Sequence, residues 1–176
     1  MDMRRMAVTP MQVPWMISPS YDFATYRGDD RQEVRVQMMC GYSSKHFEKI
    51  ISELSLQYHG DIPDEEYNNA GSPLVEITFA PVLLFSVYSK LREWERYDYS
   101  YFEPYTRGER SLQEEWNDTG MCPNPGFYEV IDSPLGAVYG FNSPKIRHWV
   151  LSAHDSYIDV LAHSFVWKEI GSQSEA

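Results

Sequence analysis

Few side chains in this sequence combine the type and the spacing that covalent or acid–base chemistry needs. The five histidines are His46, His59, His148, His154 and His163. His154-Asp155-Ser156 sets an imidazole, a carboxylate and a hydroxyl side by side, the groups of a nucleophilic triad. Successive side chains on a turn diverge, however, and Asp and Ser are ordinary turn formers. The tripeptide therefore reads as a turn. Cys40 closes one apolar run and His46 opens a helical one. A thiol beside a helix N-terminus can be activated, but a buried strand cysteine is the expected outcome. His148 and Asp159 fall within apolar alternation. There a hydrogen-bonded core histidine is the commoner case, and a carboxylate needs a partner or water and tends toward a raised pKa.

No G-x-S-x-G elbow, P-loop, G-x-G-x-x-G or H-E-x-x-H occurs, so the spacings of acyl-transfer, phosphate, dinucleotide and zinc sites are missing. Cys40 and Cys122 form no CxxC and have no histidine at metal-ligand spacing. Reduced thiols, no metal and no cofactor are expected. No residue is assigned a catalytic role, and the reading leans away from an enzyme.

What the sequence does concentrate is negative charge and tyrosine. The formal net charge is −11, and it is unevenly spread. Residues 59–80 carry Asp61, Asp64, Glu65, Glu66 and Glu76 without a Lys or Arg; residues 111–135 carry Glu114, Glu115, Asp118, Glu129 and Asp132, again without one. Such clusters disfavour nucleic acid as a direct partner and favour a basic protein surface, although acidic loops also simply keep a protein soluble. Tyr97, Tyr99, Tyr101 and Tyr105 crowd the stretch YDYSYFEPYTRGER. Tyrosine offers rigid contact area and a hydroxyl, which suits binding hot spots. A long loop anchored by its own aromatics accounts for the stretch equally well, and its length points to function.

The elements that must hold these groups follow from periodicity. A length of 176 residues and a hydrophobic share of 43% suit one globular domain. Residues 1–30 show no sustained period and are expected to form an irregular arm, packed by Trp15, Ile17, Tyr21 and Phe23. Two prolines interrupt its apolar start, so no signal peptide is expected; no run is long enough for a membrane span, and a cytoplasmic location is expected. Glu33–Cys40 alternates with Val34, Val36, Met38 and Cys40 on one face, a half-buried strand. Ser43 or Ser44 can cap a helix over about 44–58, whose Phe47, Ile50, Ile51, Leu54 and Tyr58 form one stripe toward the core.

Residues 59–73 read as a polar loop, and 74–80 as a strand that Pro81 interrupts. Val82–Tyr88 suits a buried strand, while Leu84, Val87, Tyr88, Leu91 and Trp94 also sit at helical spacing. The strand is preferred to about Tyr88, with a helical or irregular piece to Tyr97. Ser111 and Glu114 make a capping box for a second short helix over about 111–118. Phe127–Ile131 reads as a strand and Ala137–Phe141 as a possible further one.

The clearest pattern is Lys145–Ile170, two alternating runs around His154-Asp155-Ser156 that predict a β-hairpin. If Ala153 faces Tyr157, then Ile146, His148, Val150 and Ser152 share a face with Ser164, Ala162, Val160 and Ile158. Arg147, Trp149 and Leu151 then share the other with His163, Leu161 and Asp159. Both faces are largely apolar, so the hairpin is expected inside a sheet covered on both sides. Strands in runs predict an α+β domain with a mainly antiparallel sheet.

The stretches ITFAPVLLFSVY, GFYEVIDSPL and RHWVLSAHDSYIDVLAHSF resemble, over about residues 74–165, small bacterial α+β proteins, some of them immunity partners of secreted or contact-delivered toxins. The resemblance implies an immunity-type protein; with the clustered acid and tyrosine it points to a non-enzymatic acidic protein that engages a basic partner such as a nuclease toxin. The candidate contact residues, read from charge and tyrosine content alone because residues 1–73 and the Tyr-rich stretch have no counterpart in those proteins, are Asp61, Asp64, Glu65, Glu66, Tyr97, Tyr99, Tyr101, Tyr105, Glu114, Glu115 and Asp118. The alternative is a small-molecule binder or enzyme with an aromatic-lined pocket beneath residues 97–126, using His148, Asp159 or Cys40.

Overall fold

A computed structural model describes residues 5–23, 25–28, 32–139 and 143–171. In chain order the elements are β1 (Met6–Pro10), β2 (Trp15–Ile17), β3 (Thr25–Gly28), β4 (Val34–Tyr42), α1 (Ser44–Gln57), α2 (Asp64–Gly71), β5 (Leu74–Ser89), α3 (Glu93–Arg96), β6 (Tyr97–Asp98), α4 (Glu103–Thr106), α5 (Leu112–Thr119), β7 (Phe127–Val130), α6 (Leu135–Val138), β8 (Arg147–Ser152) and β9 (Ser156–Gly171). The fold is α+β. The nine strands form one sheet in the order β2-β4-β5-β9-β8-β7-β1-β6, with β3 also on β4. It is mostly antiparallel; β1 and β6 make its parallel pair.

The sheet curls. Only residues 11–14 separate β1 from β2, a reach of at most about 20 Å, yet β1 pairs with β7 toward one end of the sheet and β2 with β4 at the other. The expected irregular arm is therefore corrected. Its described part supplies three strands, and alternation failed to announce them because β2 is only three residues long. Residues 1–4, 24, 29 and 30 of that arm lie outside the described residues.

Inside the curl, Trp15 stacks on Phe127 and meets Trp167 edge-on. Val36, Met38, Ile77, Phe79, Trp149, Leu151, Ile158 and Val160 complete this core. A smaller cluster covers the opposite face, where Tyr97 packs with Val8, Tyr128, Val130, Val150 and Tyr157. The hairpin β8–β9 lies between β5 and β7, and its two apolar faces meet these two clusters.

Several local signals act as expected. Ser43 accepts a hydrogen bond from His46 N at the start of α1, and Ser111 accepts one from Glu114 N at the start of α5. The stripe on α1 is only half-buried. Three elements differ from expectation. Residues 64–71 form α2 rather than loop, with Asp64, Glu65 and Glu66 in its first turn, where carboxylates complement the helix dipole. Pro81 does not interrupt β5, which runs on to Ser89 through a register shift between Val82 and Leu84. Ala137–Val138 belong to α6 rather than to a strand, and residues 140–141 lie outside the described residues. Among the described residues no helix is long and apolar enough to cross a membrane.

The most consequential difference is the register of the hairpin. Arg147 pairs with Ala162, His148 with Leu161, Trp149 with Val160, Val150 with Asp159, Leu151 with Ile158 and Ser152 with Tyr157. Each partner is one residue from the expected one. Ala153 N donates to Ser156 O at 3.0 Å, so the turn takes Ala153 into itself and shifts the pairing. A shift of one exchanges faces. His148, Val150 and Ser152 now share a face with Tyr157, Asp159 and Leu161.

Candidate functional site

Residues 90–105 lie against that face as a chain of short turns, and one buried carboxylate fastens them there. Asp159 is 0% exposed. Tyr97 OH donates to its Oδ1 at 2.5 Å, and Arg96 Nη1 lies 2.9 Å from its Oδ2. The Arg96 contact compensates charge without a hydrogen bond's angle, leaving Oδ2 without a hydrogen-bond partner. Arg96 also donates to Tyr157 OH at 3.1 Å and sits over the Tyr88 ring. Burial and the neighbouring Asp159 charge push the Tyr97 phenol well above its usual range, so it remains a donor.

Ser133, His148 and Asp159 have the composition of a hydrolytic triad but not its geometry. Ser133 Oγ is 2.8 Å from His148 Nδ1, whereas His148 Nε2 is 3.6 Å from Asp159 Oδ1, too long for a hydrogen bond. Tyr97 and Arg96 already hold the carboxylate, and Ser133 Oγ also accepts from Leu135 N. This set is a structural anchor.

Next to it opens a cavity of about 290 Å³ lined by Trp94, Tyr99, Phe102 and Tyr128, with Ile17 and Ala153 behind. Its polar end comes from three elements. The turn at Lys90–Arg92 and α3 bring Lys90 and Glu93; the register of β8 brings Ser152. Glu93 is 1% exposed. Lys90 Nζ lies 2.5 Å from its Oε2, Ser152 Oγ donates to the same oxygen at 3.2 Å, and Tyr99 OH donates to Oε1. Lys90 also donates to Ser152 Oγ. Three donors thus satisfy one buried carboxylate, as a buried charge requires.

Asn124 forms a further polar wall, its Oδ1 accepting from Tyr128 OH and Tyr101 OH. Burial holds the phenols of Tyr99, Tyr101 and Tyr128 above their usual range, so none is a base near neutral pH. Gly126 closes the floor at φ +72°, and a Cβ there would stand 3.0 Å from Ile17 Cβ and from Ser152 O.

The residues singled out in the sequence are dispersed. Tyr97 is buried on Asp159, and Tyr99 and Tyr101 turn inward onto Glu93 and Asn124. Tyr105 OH donates to Glu115, which also faces Arg110 at 3.6 Å. Glu66 accepts from Tyr58 OH. Asp61, Asp64, Glu65, Glu114 and Asp118 are exposed and have no ion-pair partner among the described residues. Their helices α2 and α5 both pack on α1.

Burial pushes the Cys40 thiol up, with Glu169 and Cys122 adding to the effect, which favours the protonated thiol, and His46 lies against the Tyr42 ring. Neither Cys40, His148 nor Asp159 lines the larger cavity. His148 borders a smaller one of about 170 Å³ with Ser133. The sequence reading missed Lys90, Glu93, Ser152 and Asn124. Lys90 and Glu93 are helical neighbours, but in KLREWER they look like any solvated charge run. Among the described residues no group of His, Cys, Asp or Glu is placed to hold a metal ion. No protein family, curated protein or solved structure matches the chain.

Proposed function

We propose that this protein binds a small molecule in the aromatic-walled cavity beside residues 90–105. The observation that carries the reading is Glu93, a carboxylate buried in the cavity wall and satisfied by Lys90, Ser152 and Tyr99. Polar groups converging at one end of an apolar, aromatic cavity are the ordinary composition of a ligand site, and a volume of about 290 Å³ suits a ligand of single-ring size. With its phenols held protonated and its thiols outside the cavity, the site supports binding rather than turnover.

Trp94 forms the rim and is 58% exposed, so it serves as a reporter. A library of single-ring compounds is expected to yield binders that change Trp94 fluorescence and raise the melting temperature. Trp94→Ala and Phe102→Ala are each expected to weaken such binders by about tenfold, the value of one lost aromatic contact. A library without a single hit, or hits indifferent to both variants, would reject the site.

A second reading has its own supporting observation. Asp61, Asp64, Glu65, Glu114 and Asp118 stand exposed on α2, α5 and the adjoining turn with no ion-pair partner among the described residues, a charge pattern that fits docking of a basic protein partner of toxin type.

A further inference from the structure

We infer that the ligand of this cavity is a small ring compound bearing a carboxylate or similar acceptor group, seated on Lys90 and Asn124. The inference rests on the cavity being a ligand site and assigns the chemistry of what enters it. The first argument is access. The ion pair at the polar end is asymmetric: the Lys90 side chain is 28% exposed and that of Glu93 is 1%. The accessible side of the pair is therefore the lysine and not the carboxylate.

The second argument is hydrogen-bond capacity. An ammonium has three donors, and Glu93 Oε2 and Ser152 Oγ occupy two of them. Asn124 Oδ1 is taken by the phenols of Tyr128 and Tyr101, which turns its NH₂, the donor end of the amide, away from them. Among the described residues that line the cavity the Glu93 carboxylate is the one anionic acceptor, and three donors already hold it. What remains for a ligand is a cation and a donor, with no free anion to receive an ammonium. The third argument is shape. Trp94 and Tyr99 meet edge to face at 5.0 Å, as do Tyr99 and Tyr128 at 5.1 Å. Such walls suit a flat ring whose faces and edges they continue.

Phenylacetate, phenylacetamide and phenethylamine share one ring and differ in head group, so titrating each into the intact chain by calorimetry isolates the polar end. Phenylacetate is expected to bind about tenfold tighter than phenylacetamide, and phenethylamine weakest, as one charge-assisted hydrogen bond implies. Removing Lys90 alone would strand a buried carboxylate, so the matched variant is Lys90→Met with Glu93→Gln. It is expected to erase the preference for phenylacetate over phenylacetamide, because the cation that distinguishes the two head groups is gone. Equal affinity for all three, or a preference for the amine, overturns the head-group assignment while the cavity stands as a ligand site. Failure of all three to bind at millimolar concentration overturns both.

Discussion

At the scale of single residues, burial decides which groups remain available. Glu93 and Asp159 are both carboxylates without exposed surface to speak of, and each is held by two residues of one short segment: Lys90 and Tyr99 for Glu93, Arg96 and Tyr97 for Asp159. The cysteines follow the same rule with the opposite consequence. Both are buried, and burial raises their thiols, Cys122 to about 12 and Cys40 further. A thiol reacts as its thiolate, and a pKa so far above the solution pH leaves almost none. Neither cysteine should react with a disulfide reagent at pH 8 in the native protein, and both should react once it is denatured. A fast native reaction at either position would show that the burial described here does not persist in solution.

At the scale of elements, the hairpin and the segment 90–105 form one unit joined by Asp159. The carboxylate projects from β9 beside Val150 of β8 and gathers Arg96 and Tyr97, which flank the cavity residues Trp94 and Tyr99. Replacing it with alanine leaves a partly buried guanidinium and a buried phenol without their acceptor. Asp159→Ala is expected to cost about 3 kcal/mol of stability, the loss from breaking a buried pair, measured by denaturant unfolding. It should also weaken any ligand of the cavity, because the wall that carries Trp94 and Tyr99 loses its fastening. Full retention of both stability and binding would mean that aromatic packing alone holds the segment.

At the scale of the whole molecule, one stretch of chain closes the sheet. Residues 6–17 pair with β7 and with β4, and their backbone also reaches the 122–127 strand approach, with Ile17 N donating to Pro125 O at 2.8 Å and Cys122 N to Val13 O at 2.9 Å. This brings Trp15 into the middle of the core and Ile17 to the back of the cavity. Beside this curled sheet, α1 carries α2 and α5, on which Asp64, Glu65, Glu114 and Asp118 have no ion-pair partner among the described residues. Opposed charge acts mainly on association rate and is screened by salt. If a basic protein docks there, its capture should fall steeply with ionic strength and weaken in Glu65→Lys with Glu114→Lys, two exposed positions. Capture unaffected by both treatments would remove the acidic helices from consideration.

The sequence by itself determined what depends on near neighbours. The alternation of Val34, Val36, Met38 and Cys40, the Ser43 cap of α1, the Ser111–Glu114 cap of α5 and the existence of the hairpin around His154 all rest on interactions a few residues apart. Tertiary structure decided everything that depends on a residue's distant partners. The shift of one residue between β8 and β9 comes from Ala153 joining the turn, and it alone places Asp159 on the face of His148 and Ser152. Alternation reads the same in either register, so pattern could not choose between them. Glu93 stands in the charged heptapeptide KLREWER; only the approach of Ser152 from β8 and the fold-back of Tyr99 from the same segment let it be buried. The tyrosines were legible as a concentration of hydroxyls and rings, but their direction was not. Each phenol points to wherever the fold supplies an acceptor, and those acceptors lie on other elements: β9 for Tyr97, α5 for Tyr105 and the β7 approach for Tyr101.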